Sequence, residues 1–157
     1  MRTLAVVALL LVSAVAAGAA SSPRFVRSDG SAILVPGAVR AWCDTEGLHV
    51  LTLGRINQSR WQLSVARRDV RPGRSVAFTW MRRHGIEVFV FDAKTRNEAS
   101  EGTEGSRGRI TLRRATCRRG GMLALGLSGT IGSEFSDGKP IRMSGTFQGR
   151  VGVRPGR

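Results

Sequence analysis

Apolar residues recur at every second position of this chain, in short runs broken by glycine, proline, asparagine and aspartate. Val76, Phe78 and Trp80 share one parity, as do Trp61, Leu63 and Val65, and again Leu123, Leu125 and Leu127. A period of two places alternate side chains on one face of a strand, whereas no stretch of about ten residues carries the 3.6-residue period of an amphipathic helix. Strand-type runs fall at 32–35, 38–43, 48–53, 61–66, 75–81, 86–92, 108–117, 122–130 and 140–149. The expectation is an all-β fold, an antiparallel β-sandwich or small closed barrel of about eight short strands.

Individual runs refine this picture. In 86–91, Ile86, Val88 and Val90 take one face while Phe89 and Phe91 share the other with Glu87. A strand apolar on both sides is central in a sheet or meets a partner, so Phe89 and Phe91 are candidate partner-facing residues. Arg82-Arg83-His84-Gly85 reads as a tight hairpin turn before it, and the polar stretch 93–107 reads as a long surface loop. The last three runs read as a meander turning at Gly120-Gly121 and Ser136–Pro140. Within it, strict alternation after Ile110 and Leu112 would bury Arg114 and expose Cys117. A β-bulge at Arg113-Arg114 restores Ala115 and Cys117 to the interior without burying a charge.

The first residues set the compartment. Met1-Arg2-Thr3 is a short positive start, Leu4–Val12 an apolar run too short to anchor in a bilayer, and Ala16–Ala20 a small-residue stretch suited to signal peptidase. Residues 1–20 are therefore expected to be a cleaved signal peptide, 21–31 a loose N-terminal segment, and 32–153 a single β domain, secreted or periplasmic. No later apolar stretch is long enough to span a membrane as a helix. Cys43 and Cys117 are the only cysteines, and in an oxidising compartment they are expected to pair.

Composition narrows the chemistry. Lysine and arginine number 25 against 11 aspartate and glutamate, a formal charge of +14, and Lys94 and Lys139 are the only lysines. Arg-Arg pairs fall at 67–68, 82–83, 113–114 and 118–119. In the meander, outward parity gives Arg109, Thr111 and Arg113 on one strand and Arg142, Ser144 and Thr146 on another, with small Ala124, Gly126 and Ser128 between them. If the three strands are neighbours, they form a shallow trough with guanidinium and hydroxyl walls, suited to an anionic polymer or glycan.

Catalytic groups are scarce by comparison. His49 and His84 are the only histidines, and neither has a sequence neighbour that signals a triad. The carboxylates Glu98, Glu101 and Glu104 lack the ligand pattern of a calcium loop, and no zinc spacing or nucleotide-binding glycine loop occurs. No catalytic residue, metal or cofactor is expected. Specific nucleic-acid binding is disfavoured by the scarcity of aromatic residues and the absence of any reader motif.

The functional expectation is an exported, non-enzymatic binding or structural domain with an anionic polysaccharide or other polyanion as partner. The alternatives are a small-ligand carrier with a barrel cavity, an envelope protein-interaction domain using Phe89 and Phe91, or a hydrolase using Glu87, Asp92 or Glu134.

Overall fold

A computed structural model of the chain describes residues 22–53, 55–81 and 85–154. The expected signal peptide over 1–20, His84 and most of the turn around it lie outside these residues. The strands are β1 (Arg24–Val26), β2 (Ala32–Ile33), β3 (Ala38–Cys43), β4 (Gly47–Leu53), β5 (Arg60–Ala66), β6 (Arg74–Thr79), β7 (Ile86–Asp92), β8 (Asn97–Ser100), β9 (Arg107–Arg114), β10 (Met122–Ser133) and β11 (Ile141–Arg150). A single 3-10 turn, Arg67–Asp69, is the only helical element among the described residues. The fold is all-β, with antiparallel ladders throughout its strand pairs.

These strands form one curled sheet, a half-barrel of 11 strands. The long strand β10 creates the curl. Its residues 122–131 lie between β9 and β11, in a layer ordered β6-β9-β10-β11-β1-β2. Gly132 and Ser133 then pair with β8, which leads into a second layer, β8-β7-β5-β4-β3. On the far side a parallel bridge, Ala41 to Val151, and the bond from Gly152 N–H to the Ala41 carbonyl bring β3 to the end of β11. The Cys43–Cys117 disulfide forms there, with Cα atoms 5.3 Å apart, tying the end of β3 to the segment after β9.

The inward parity of both layers fills the interior with side chains. Trp61 sits at its centre, its ring 5.9 Å from Phe25 and 6.2 Å from Phe147. Leu48, Leu63, Val88, Ile110, Leu112 and Leu125 belong to the same core cluster and have no solvent exposure. Removing a side chain the size of Phe25 from water contributes about 2–3 kcal/mol, which explains why the three-residue β1 holds its place.

The structure corrects several expectations. The count is 11 strands rather than about eight, because short strands flank the main runs. The described part of the 21–31 segment, residues 22–31, is not loose: it supplies β1, buries Phe25 and anchors Arg27, which donates from Nε and Nη2 to the buried Asp92 carboxylate at 2.6 and 2.8 Å. The expected loop at 93–107 contains β8, whose Asn97 and Ala99 are buried. The runs flanking Arg82–Gly85 are not hairpin neighbours, since β6 pairs with β9 and β7 pairs with β5. Trp80 lies beyond the end of β6 and is 43% exposed, so it leaves the stripe led by Phe78.

The meander and its bulge stand as expected, except that β9 ends at Arg114 and Cys117, beyond it, is half-buried rather than interior. Leu112 opposes Leu125 and Arg114 opposes Ala124, so Arg113 is the extra residue; Ala115 then turns inward. Gly108 shows how closely a β6 side chain and the β10 backbone press on β9. A Cβ there would lie 2.5 Å from both the Phe78 ring and the Ser128 carbonyl oxygen, so only glycine fits.

Candidate anion-binding face

The outward face of the β9-β10-β11 layer brings the expected residues together. Gly126 on β10 opposes Thr111 on β9 and Thr146 on β11; Ser128 opposes Arg109 and Ser144; Thr130 opposes Arg107 and Arg142. With strands about 4.8 Å apart, the walls stand roughly 10 Å from each other over a floor of Ala124, Gly126 and Ser128. Arg113, pushed out by the bulge, leans over this floor: its Nε is 3.9 Å from the point where a Cβ on Gly126 would sit.

Two further arginines belong to this face. Arg107 completes the β9 wall opposite Thr130, and Arg24 reaches it from β1, opposite Ser144. Arg107 follows the alternation that selects Arg109, one step beyond the run's apparent start. Arg24 lies in the segment read as loose, so its pairing had no sequence signal.

The electrostatics of the face are one-sided. Strands β1, β2, β6, β9, β10 and β11 contain no aspartate or glutamate, while they carry Arg24, Arg74, Arg107, Arg109, Arg113, Arg114, Arg142 and Arg150. Arg74 is compensated by Asp69 at 3.0 Å. Arg107, Arg109, Arg113 and Arg142 have no acidic partner among the described residues. Arg109 is oriented instead by neutral groups, its Nη1 donating to Ser75 Oγ at 3.1 Å, which in turn bonds Thr111 Oγ1 at 3.1 Å. Guanidinium groups so placed offer paired N–H donors to phosphate, sulfate or carboxylate oxygens, and have no proton to exchange near neutral pH.

Phe89 and Phe91, expected to face a partner, are half-buried, and Arg60 lies across both rings, 4.6 Å from the Phe91 centroid and 5.9 Å from that of Phe89. That cation fills the outward side of the aromatic pair.

His49 has orienting partners that sequence reasoning missed. It stands opposite Trp42 and Ser64, stacks on the Trp42 ring at 5.2 Å, and places Nδ1 3.1 Å from Ser64 Oγ and Nε2 2.9 Å from Asp44 Oδ1. The hydrogen bond from His49 draws the Asp44 carboxyl down to about 2; desolvation opposes this, and the Gly47 and Glu46 amides assist it. Although Ser64, His49 and Asp44 form a chain, β5 is paired on both sides, so its peptide N–H groups are committed to ladders and supply no oxyanion hole beside Ser64. Ligand atoms of Asp44, Glu46 and His49 also lie within 4.8 Å of one another. This proximity arises because the β3-β4 turn folds two acids back onto the strand that carries the histidine.

The carboxylates considered for hydrolysis do not converge. Glu87 is the second residue of β7 and Asp92 its last, while Glu134 follows β10 on the surface. Asp92 is further occupied by Arg27, Thr95 Oγ1 and the Lys94 amide. Of the expected calcium-poor acidic run, Glu101 accepts the Val88 amide at 2.6 Å and Glu98 lies within β8. No family model, curated protein or solved structure matches the chain.

Proposed function

We propose that this protein is an exported, non-enzymatic binding module whose β9-β10-β11 trough seats a linear anionic polysaccharide. The observation that carries this reading is the acid-free arginine face over a floor of small residues. Export rests on the signal-peptide pattern of residues 1–20 and is supported by the disulfide, which suits a secreted or periplasmic location. The small-ligand carrier reading is weakened by an interior filled around Trp61, and the protein-interaction reading by the Arg60 lid over Phe89 and Phe91.

The test is retention on immobilised heparin across a salt gradient. Replacing Arg109, Arg113 and Arg142 together by glutamine is expected to shift elution to much lower salt, because the attraction is screened by ions. Replacing the exposed Arg40, Arg55 and Arg71, which lie off the trough, removes the same charge and is expected to shift it little. Gly126→Val adds a discriminating arm: the nearest atoms to its Cβ are 3.9 and 4.0 Å away, so the strand accepts it while the floor rises. Equal loss from both arginine triples would reduce the trough to nonspecific charge and overturn the reading.

A further inference from the structure

A second concavity, of about 630 Å³, lies where three connections meet: the β1-β2 turn, the β7-β8 turn and the β10-β11 loop. Its volume falls within the range of small-ligand sites. The floor is rigid. Asp92, 1% exposed, accepts hydrogen bonds from Arg27, Thr95 and the Lys94 amide, and Asn97 donates to the Lys139 carbonyl at 2.8 Å while accepting from Ser133 Oγ at 2.6 Å.

Above that floor stand two cations, Arg96 and Lys139, whose side chains have no hydrogen-bond or ion-pair partner among the described residues. Arg96 has φ of 56°, the one positive value on a non-glycine residue among those described. A left-handed backbone is disfavoured for a side-chain-bearing residue relative to glycine. This turn therefore carries a charged side chain where the backbone favours none, the kind of local strain that accompanies function. Phe135 offers a ring 49% exposed on the same cleft, and Asp29 and Asp137 place carboxylates at its rim.

We infer that this cleft binds a single sugar ring bearing one anionic group. Arg96 and Lys139 take the anion, the Phe135 ring covers the apolar face of the sugar, and Asp29 and Asp137 accept hydrogen bonds from its hydroxyls. The mixed lining argues for this class: a bare anion has no use for the ring or the carboxylates, and a neutral sugar has none for two uncompensated cations. The inference goes beyond the trough reading and shares no residue with it, so either can fail alone.

The experiment is an amide NMR titration of the folded protein with D-glucuronate, glucose 6-phosphate, glucose and inorganic phosphate. Saturable shifts at Thr95–Asn97 and Phe135–Lys139 are expected with glucuronate or the sugar phosphate, and the stronger of the two identifies the acid as carboxylate or phosphate. Arg96→Gly is expected to weaken that binding by roughly tenfold, the worth of a charge-assisted hydrogen bond, while leaving the melting temperature equal or higher because strain is relieved. Phe135→Ala, on an exposed side chain, is expected to weaken it as well. The proposal is overturned if glucose binds equally well, if inorganic phosphate reproduces the shifts with the same affinity, if Arg96→Gly binds unchanged, or if no probe binds.

Discussion

Replacing Arg27 by methionine tests whether the N-terminal segment is held by charge. Arg27 and Asp92 are 65 residues apart in sequence, and their side chains are 13% and 1% exposed. Methionine keeps much of the aliphatic stem but leaves the buried carboxylate with only Thr95 Oγ1 and the Lys94 amide. Removing one partner of a buried pair typically costs about 3–5 kcal/mol, and the surviving bonds place the expected loss near the lower end. Some of that loss comes from the arginine's bonds to Ser31 Oγ and the Ala32 carbonyl, so pH dependence is needed to isolate the carboxylate. Burial raises the Asp92 pKa, but the hydrogen bonds from Arg27, Thr95 and Lys94 outweigh it and hold the carboxyl below its ordinary value. Its contribution is therefore present above the unfolded value of about 4 and is lost as pH falls through the lower folded value. Without Arg27 the carboxyl rises and is relieved by protonation, so the gap between wild type and variant should narrow as pH drops from 7 toward 4. Urea unfolding followed by tryptophan fluorescence reads both quantities, since Trp61 is buried. A loss under about 1 kcal/mol, or a gap independent of pH, would refute the claim that this pair anchors β1.

Three further outcomes follow from the same structure. Replacing both Cys43 and Cys117 by alanine should cost about 4 kcal/mol in guanidinium unfolding, from the loop entropy of a 74-residue separation; a loss near zero would mean that the crosslink does not constrain the unfolded chain as the loop-entropy argument requires. Gly108→Ala should lower stability by about 2 kcal/mol or more, because its Cβ meets the Ser128 carbonyl of β10, which cannot swing aside; an unchanged thermal midpoint would contradict the close approach of β9 and β10. The Asp44 carboxyl, drawn down to about 2 chiefly by His49, contributes stability that is present above its ordinary value and lost as pH falls toward 2. Carboxyl 13C titration should show that midpoint moving back toward the usual range in His49→Ala, and an unmoved midpoint would sever the link.

Legibility in the sequence followed how much each residue's environment depends on near neighbours. Leu123, Leu125 and Leu127 announce their face by alternation alone, and the bulge at Arg113 was readable because strict alternation would have buried Arg114. The trough was legible for the same reason: consecutive antiparallel strands joined by short turns pair with one another, so parity on each strand fixes what faces outward. Three-residue β1 has too few positions to establish a period, and its stability comes from Phe25 beneath Trp61 and from Arg27 on Asp92. In β8 the buried positions are Asn97 and Ala99, one polar and one small, so alternation there carries no hydrophobic contrast. The β6-β9 pairing spans a connection holding two other strands, and nothing local specifies it. His49 looked isolated because its partners depend on register: Ser64 lies across the ladder on β5, and Asp44 returns through a turn.

Arginine used in place of lysine accounts for the ratio of the two, but not for where the acids lie. All 11 acidic residues of the chain fall in loops, in the 3-10 turn or on β7 and β8, and none on the six strands of the arginine-bearing layer. Opposite charges placed across neighbouring strands each contribute roughly 0.2–1 kcal/mol, so a face built from Arg107, Arg109 and Arg142 forgoes that stabilisation and adds mutual repulsion. Several of the acids the chain does carry are drawn into close contacts off that face: Asp92 with Arg27, Asp69 with Arg74 at the start of β6, and Asp44 with the His49 ring. Among the described residues, unpaired arginines occur elsewhere on the surface as well, at Arg40, Arg55 and Arg71 among others. Only this layer, however, has no acid on any of its strands, and its arginines stand over a floor of glycine, alanine and serine; that segregation is what the proposed polyanion reading rests on.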